Sequence, residues 1–406
     1  MPLTPAVIFG AFDRHNFGDL LIARVVARQL PRRELLFAGL AARDLRNEGG
    51  FATHALAQIA RFARGREIDV IHAGGEVLGC NAWEAAVMIA PPPRVQATID
   101  EETAWRRDPR AWARARFGME SAAPYVLAKT ALPGVRVRQL VVNAAGGADL
   151  DAREAVLRAD ALAALRSADW LSVRDRRTQA QLEAHGMRAR LTPDPAAMTA
   201  VLFDAAIQRH AARMPVRAIR EAFTHGYAAV QFSADFGDDA TLDRLAHELE
   251  RIANAHGVGI ALFRAGAAPW HDSLDVYRRL AARLPAQAVR VFESLNLWDI
   301  CALIAHARVF CGSSLHGRIV ATAHAIARVN IARNHSFGMP GIGSHKHVAY
   351  VSTWEAQDVP QIVTVDSLAD AAAEALRVDR QTLRIQAASL AQRCRREFEA
   401  LRAALD

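Results

Sequence analysis

The sequence predicts an α/β protein made of two Rossmann-like domains facing a cleft, and three observations carry that reading. The chain has 406 residues, more than one core usually encloses, so two domains of similar size are expected. Short β-branched or apolar runs alternate with amphipathic stretches of helical length, the pattern of parallel strands joined by crossover helices. Apolar residues make up 51% of the chain and the mean hydropathy is near zero, as in a soluble globular protein.

Taken in order, the first half offers strands at 6–9, 35–38, 70–73, 137–143 and 170–173, each followed by glycine, polar residues or a helical pattern. A second series runs through 227–232, 259–263, 289–292, 309–311 and 329–331, with helical patterns at 240–255, 274–284, 297–306 and 315–325 between them. The domains are therefore expected at 1–200 and 201–366. Residues 91–134 open with three prolines and read as an insertion with one or two helices outside the first sheet. Residues 367–406 are rich in alanine and arginine and read as a helical segment that crosses the domain junction.

Composition narrows the function classes. The N-terminus lacks a signal peptide's basic and apolar regions, and no run approaches the roughly 20 apolar residues of a membrane span. Cys80, Cys301, Cys311 and Cys394 are scattered without zinc spacing, which suits a reduced, cytoplasmic, disulfide-free protein. The net charge of +7 comes almost wholly from arginine, since Lys129 and Lys346 are the only lysines. That balance favours acidic partners such as phosphorylated metabolites or an anionic membrane surface. No basic stripe interleaved with stacking aromatics is present, so nucleic acid is not an expected partner.

Chemistry is concentrated where strands give way to helices. Gly10 ends the first strand, and Asn16, Gly18 and Asp19 precede a helix whose N-terminus favours negative charge; on this motif alone Asp19 reads as a helix cap before it reads as a catalytic group. Gly74 and Gly75 close another strand, with Glu76 after them, at the edge where open α/β sheets bind ligands. Arg174 and Asp175 follow a strand; Arg174 suits a bidentate grip on an anion or a salt bridge, and Asp194 lies between two prolines that fix its turn.

The most specific stretch is "CGSSLHGRIV". It places Ser313, Ser314, His316, Gly317 and Arg318 at a strand end and a helix start. A helix N-terminus is an anion site, and histidine transfers protons near neutral pH. Farther on, Asn334, His335, His345, Lys346 and His347 sit in a glycine-rich stretch; their spacing matches no metal motif, so Lys346 is taken as an anion contact and no metal is expected. Asp149 and Asp151 form a DxD triplet in a polar loop. Trp105 and Trp112 among Arg106, Arg107, Arg110, Arg114 and Arg116 suit a sugar, an anionic membrane surface or a plain exposed helix.

Together these motifs resemble, in order, those of the polysaccharide pyruvyl transferase family. The shared features are Asn16-Phe17-Gly18-Asp19, Gly74-Gly75, Ser172 to Asp175 with Leu182 and Gly186, Pro193-Asp194, Leu315-His316-Gly317 and Lys346. The resemblance implies a glycosyltransferase-B-like fold and transfer of pyruvate from phosphoenolpyruvate to two hydroxyls of a sugar, with no cofactor. It implies His316 as acid/base with Asp19, and donor contacts from Arg174, Ser313, Ser314, Gly317, Arg318 and Lys346. The acceptor side is Asn16, Gly74, Gly75, Glu76 and Asp194, and the acceptor is a nucleotide-linked or lipid-linked sugar, met in the cytoplasm or at the inner membrane face.

One position departs from the family pattern: many members carry arginine immediately before the leucine, where this chain has Ser314. Either Arg318 substitutes, or another anion contact does, or donor use has changed. A nucleotide-sugar glycosyltransferase and a non-catalytic sugar- or metabolite-binding protein are the competing readings.

Overall fold

The computed structural model describes residues 3–332, 344–356, 359–360 and 362–406. The chain divides into two compact units: Met1–Pro195 with Arg393–Asp406, and Ala196–Gln392. The division falls at Pro195, and the last helix contributes residues to both units.

The first unit opens with β1 (Ala6–Phe9), α1 (Phe17–Gln29), β2 (Leu35–Gly39), β3 (Arg43–Asp44), β4 (Ala52–Ala55) and α2 (Leu56–Phe62). It continues with β5 (Glu67–His72), α3 (Ala82–Ile89), α4 (Val95–Asp100), α5 (Glu102–Arg107) and α6 (Pro109–Phe117). It ends with β6 (Arg136–Ala145), α7 (Ala155–Leu165), β7 (Trp170–Val173), α8 (Arg176–Ala184) and β8 (Arg190–Leu191). The sheet order is β3-β4-β2-β1-β5-β6-β7-β8, parallel except for the short β3–β4 pair. β1 is buried on both faces, as the central strand of a parallel sheet must be when helices cover it.

In the second unit come α9 (Thr199–Ala211), α10 (Val216–Ala222), β9 (Tyr227–Gln231), α11 (Asp239–His256), β10 (Gly259–Phe263) and α12 (Leu274–Ala281). Next are β11 (Val289–Phe292), α13 (Leu297–Ala305), β12 (Val309–Gly312), α14 (Leu315–Ala323) and β13 (Ala327–Ala332). The chain closes with α15 (Ser344–Trp354), β14 (Ile362–Thr364), α16 (Leu368–Arg377) and α17 (Arg380–Leu405). The sheet is wholly parallel in the order β11-β10-β9-β12-β13-β14.

Each sheet has one place where the strand order reverses. In the first unit β2 lies on one side of β1 and β5 on the other; in the second, β10 and β12 flank β9 in the same way. Helices leaving such neighbours go to opposite faces of the sheet, which opens a crevice at the carboxyl ends of the strands. The motif residues gather at these two places.

Two expectations are corrected. The 91–134 segment holds three α-helices instead of one or two, and although it adds no strand to the sheet it packs against it: Leu127 donates its N–H to His72 Nε2 at 2.9 Å, on the last residue of β5. The helical tail breaks between Arg377 and Arg380. No helix among the described residues is long and apolar enough to cross a membrane.

Candidate functional site

In the first unit the crevice begins at the β1–α1 turn. Asn16 caps α1, its Oδ1 accepting the N–H groups of Gly18 and Asp19 at 2.9 and 3.3 Å. Asp19 is therefore not the cap; it stands in the first turn, buried, with its Oδ2 3.7 Å from the Arg14 guanidinium. Arg14 donates to the Tyr125 hydroxyl at 2.8 Å, and that hydroxyl donates to Asp13 Oδ1 at 3.0 Å. Asp13 Oδ2 accepts from the N–H groups of Leu40 and Ala41. Burial pushes the Asp13 carboxyl up, while Arg14 and these donors hold it back.

Gly74 and Gly75 follow β5 at φ values of +109° and +92°. A Cβ on Gly75 would stand 2.8 Å from Asp19 Oδ1, so the carboxylate occupies the space this glycine leaves. His72, just before them, is fully engaged: Nδ1 lies 3.1 Å from the Val141 carbonyl, and Nε2 accepts from Leu127. Burial pulls its imidazole down to about 4, so it is a neutral structural group.

Arg174 turns inward. Its Nη1 donates to Asp194 Oδ2 at 2.9 Å and its Nη2 to Glu76 Oε2 at 2.5 Å, and the residue is 1% exposed. Glu76 Oε1 also accepts from the Ala148 N–H at 3.0 Å. The three expected site residues Glu76, Arg174 and Asp194 thus form one ion-pair cluster, buried at Arg174 and Asp194 and partly open at Glu76, that ties the ends of β5, β7 and β8 together. Asp175 caps α8 through the Thr178 N–H.

The second crevice lies between β9 and β12, where Gln231 and Gly312 are register partners. Ser313 N–H donates to the Gln231 carbonyl at 3.1 Å, and Ser313 Oγ accepts from the Ser233 N–H at 3.1 Å. Ser314 caps α14 through the Gly317 N–H at 3.1 Å. His316 occupies the first turn of that helix, half-buried. Gly317 permits contact with the ring of Phe310: a Cβ there would stand 2.5 Å from Phe310 Cζ.

Arg318, expected at an anion, is corrected by its surroundings. Its guanidinium is completely buried on Glu355, Asn330 and the Pro360 carbonyl, and Glu355 also binds Arg328. A long side chain one turn into a helix folds back to the loop only if no better partner lies beneath it, and here Glu355 is that partner. Arg318 holds α14 in place.

Lys346 and His347 belong to the first turn of α15 and not to a loop. Lys346 is half-buried. His347 is buried, with Nδ1 3.2 Å from Asn330 Nδ2, and the same Asn330 amide donates to the Gly312 carbonyl at 2.8 Å. Asn334, His335 and the His345 side chain lie outside the described residues.

Four groups at these crevices were not anticipated: Arg14 and Tyr125 in the first, Gln231 and Asp272 in the second. Gln231 has a visible signal, a polar residue at the end of the apolar strand run "YAAVQF". Asp272 has none, because it reaches the site from the loop after β10. Both its oxygens lie 3.0 Å from Gln231 Nε2, and Oδ2 accepts from the Ala265 N–H at 2.6 Å. Burial pushes its carboxyl up to about 7, with Gln231, Ala265, Gly266 and Arg264 holding it from going further.

Elsewhere several side chains of the surface motifs have partners of their own. Arg106 pairs with Glu102, Arg110 with Asp160, Arg114 with Glu120 and Arg116 with Glu101, and Trp105 is buried against Trp83. Asp151 pairs with His185. No group of three or more metal-ligating side chains gathers among the described residues.

The order and placing of these motifs accord with a match to known proteins: the family model for polysaccharide pyruvyl transferase matches residues 16–335. The chain belongs to this family. For a polysaccharide pyruvyl transferase family member, the structural likenesses are distant. UDP-GlcNAc 2-epimerase from Methanocaldococcus jannaschii, in complex with UDP-GlcNAc and UDP, is similar over 93% of this chain and 94% of that one, at 10% identity and a TM-score of 0.52. This shows the glycosyltransferase-B type of fold. The Neisseria meningitidis UDP-GlcNAc 2-epimerase covers 98% of this chain and 99% of its own at 8% identity and a TM-score of 0.49. The glycosyltransferase SnogD from Streptomyces nogalater covers 99% and 100% at 15% identity and a TM-score of 0.45. No curated protein matches the sequence.

Proposed function

We propose that this family member transfers the pyruvyl group of phosphoenolpyruvate to two hydroxyls of a sugar during surface-polysaccharide synthesis, closing a ketal and releasing phosphate. The observation that carries the reading is His316 in the first turn of α14, at the crevice where the second sheet reverses its strand order. The donor has a carboxylate and a phosphate, which suit a helix N-terminus, and Lys346, half-buried in the first turn of α15, is assigned as a cation for them. Ser313, Ser314 and Gly317 shape that turn.

The chemistry balances without redox change. A proton is added to C3 of the donor as the first sugar hydroxyl attacks C2 and gives up its own proton. The C2–O bond to phosphate then breaks, the second hydroxyl closes the ring, and its proton leaves with the phosphate. His316 is assigned the proton delivered to C3, with the helix end stabilising the charged groups. Asp19 is assigned the acceptor hydroxyl, with Asn16, Gly74 and Gly75 shaping its surroundings; Glu76 and Asp194 support that side through Arg174. The acceptor is a nucleotide-linked or lipid-linked sugar. A cytoplasmic setting accompanies this reading, because the donor is a cytoplasmic metabolite.

The test is incubation with labelled phosphoenolpyruvate and a panel of lipid-linked and nucleotide sugars, following phosphate release and the mass of the acceptor. Pyruvyl transfer by the wild type and its loss in His316→Ala, with the fold intact by circular dichroism, is the expected result. Consumption of a UDP-sugar without phosphoenolpyruvate would replace this reading with glycosyl transfer, and near-normal turnover in the variant would remove His316 from it.

A further inference from the structure

The Gln231 amide is held from one side only. Its Nε2 donates to both oxygens of Asp272, whereas its Oε1 is buried beside Gly312 with no hydrogen-bond partner among the described residues. Gln231 is 3% exposed, and Gly312 is the residue just before the Ser313–Ser314 turn that opens α14. An acceptor oxygen at that place works against a bound anion, since it offers a lone pair where the anion needs a donor. The amide's other orientation has the same shape and offers an N–H instead.

We propose that Asp272 and Gln231 form a two-position hydrogen-bond switch for the α14 anion site. With the carboxyl ionised, Nε2 faces Asp272 and Oε1 faces Gly312. With it protonated, the acid O–H donates to Oε1, the amide turns over, and Nε2 faces the Gly312–Ser313 turn as an added donor. Asp272 is a positioning residue in this scheme, acting on the anion through Gln231.

The surroundings allow both states. The carboxyl is raised to about 7 chiefly by burial, so both are populated near neutral pH. The titratable and charged groups facing it are Arg264 at the end of β10 and Tyr277 on α12. Tyr277 is fixed by its own bonds to the Phe232 N–H and carbonyl, and its hydroxyl is pushed well above the usual range, so it stays neutral. A raised carboxyl is neutral below its folded value, so anion binding is strengthened on the acid side and weakened as pH rises through about 7.

The inference rests on the reading of the α14 end as an anion site, and its test needs no transfer activity. Sulfate is the probe, because it stays a dianion across the range while phosphate titrates. Calorimetry on the full chain from pH 5.5 to 8.5, in a His316→Gln background that removes the imidazole, should show affinity falling by about tenfold or more as pH rises, about the loss of one charge-assisted hydrogen bond. Adding Asp272→Asn should flatten the profile. Gln231→Met, which keeps Asp272 but cannot offer either amide group, should flatten it too and serves where Asp272→Asn misfolds. An undiminished fall in Gln231→Met would show that charge acts directly and overturn the switch; no sulfate binding at any pH would overturn it together with the anion site. Loss of pyruvyl transfer with the sulfate profile intact would instead overturn the proposed reaction alone.

Discussion

Arg318 meets Glu355 side-on, Nε to Oε1 at 2.7 Å and Nη2 to Oε2 at 2.9 Å, with both side chains inaccessible to solvent. Arg328 shares the same carboxylate, so one anion serves two cations beneath α14. Removing the shared anion leaves two cations in the protein interior. Glu355→Leu is therefore expected to cost about 3–5 kcal/mol of stability, read from urea unfolding of the chain. An unchanged midpoint would show that the cluster contributes nothing.

The same carboxylate sets an acid limit. Burial pushes Glu355 up, but Arg318 and Arg328 outweigh it and bring the group down to about 2 from an ordinary 4.5. A depressed acid stabilises the fold above its unfolded value and loses that contribution as pH falls toward the folded one. Thermal unfolding should drop between about pH 4.5 and 2, and Glu355→Gln should shrink that drop while lowering stability at neutral pH.

Gly317→Ala places a methyl 2.5 Å from Phe310 Cζ. Helix propensity alone favours alanine by up to about 1 kcal/mol, yet the clash is against a buried ring that cannot retreat. The net expectation is a loss of about 1–3 kcal/mol, measured by denaturant unfolding.

In the first unit, Arg174→Met leaves the fully buried Asp194 and its neighbour Glu76 without their cation. A loss of about 3–5 kcal/mol is expected. Adding Asp194→Asn to that variant should recover part of it, since the uncompensated charge is then removed; additive losses would argue against the cluster.

Ser314→Arg separates cap from contact. The serine hydroxyl bonds the Gly317 N–H, so its loss should cost about 1 kcal/mol of stability. If the helix end holds the donor, the new guanidinium should lower the KM for phosphoenolpyruvate, measured by phosphate release. A raised KM would mean that Ser314 itself contacts the donor.

Much of the fold was legible because parallel strands buried on both faces leave unbroken apolar runs, as in "AVIF" and "GIALF". The strands that escaped, such as Arg43–Asp44 and Arg190–Leu191, are two-residue edge pieces whose side chains carry no period. The candidate site was legible at its turns, where Asn16 and Ser314 cap helices by rules that need only local sequence. What could not be read was partnership. Nothing near Arg318 in sequence points to Glu355, and nothing near Arg14 points to Tyr125, because both pairs close over long stretches of chain.

Tyr125 gives the 91–134 segment a second meaning. Through its hydroxyl that segment touches Arg14 and Asp13, and through Arg14 it reaches Asp19, without contributing a single strand to the sheet. A stretch of chain that adds no strand to the scaffold, yet through Tyr125 and Arg14 reaches the carboxylate assigned to the acceptor, is where selectivity can drift while the sheet itself stays fixed.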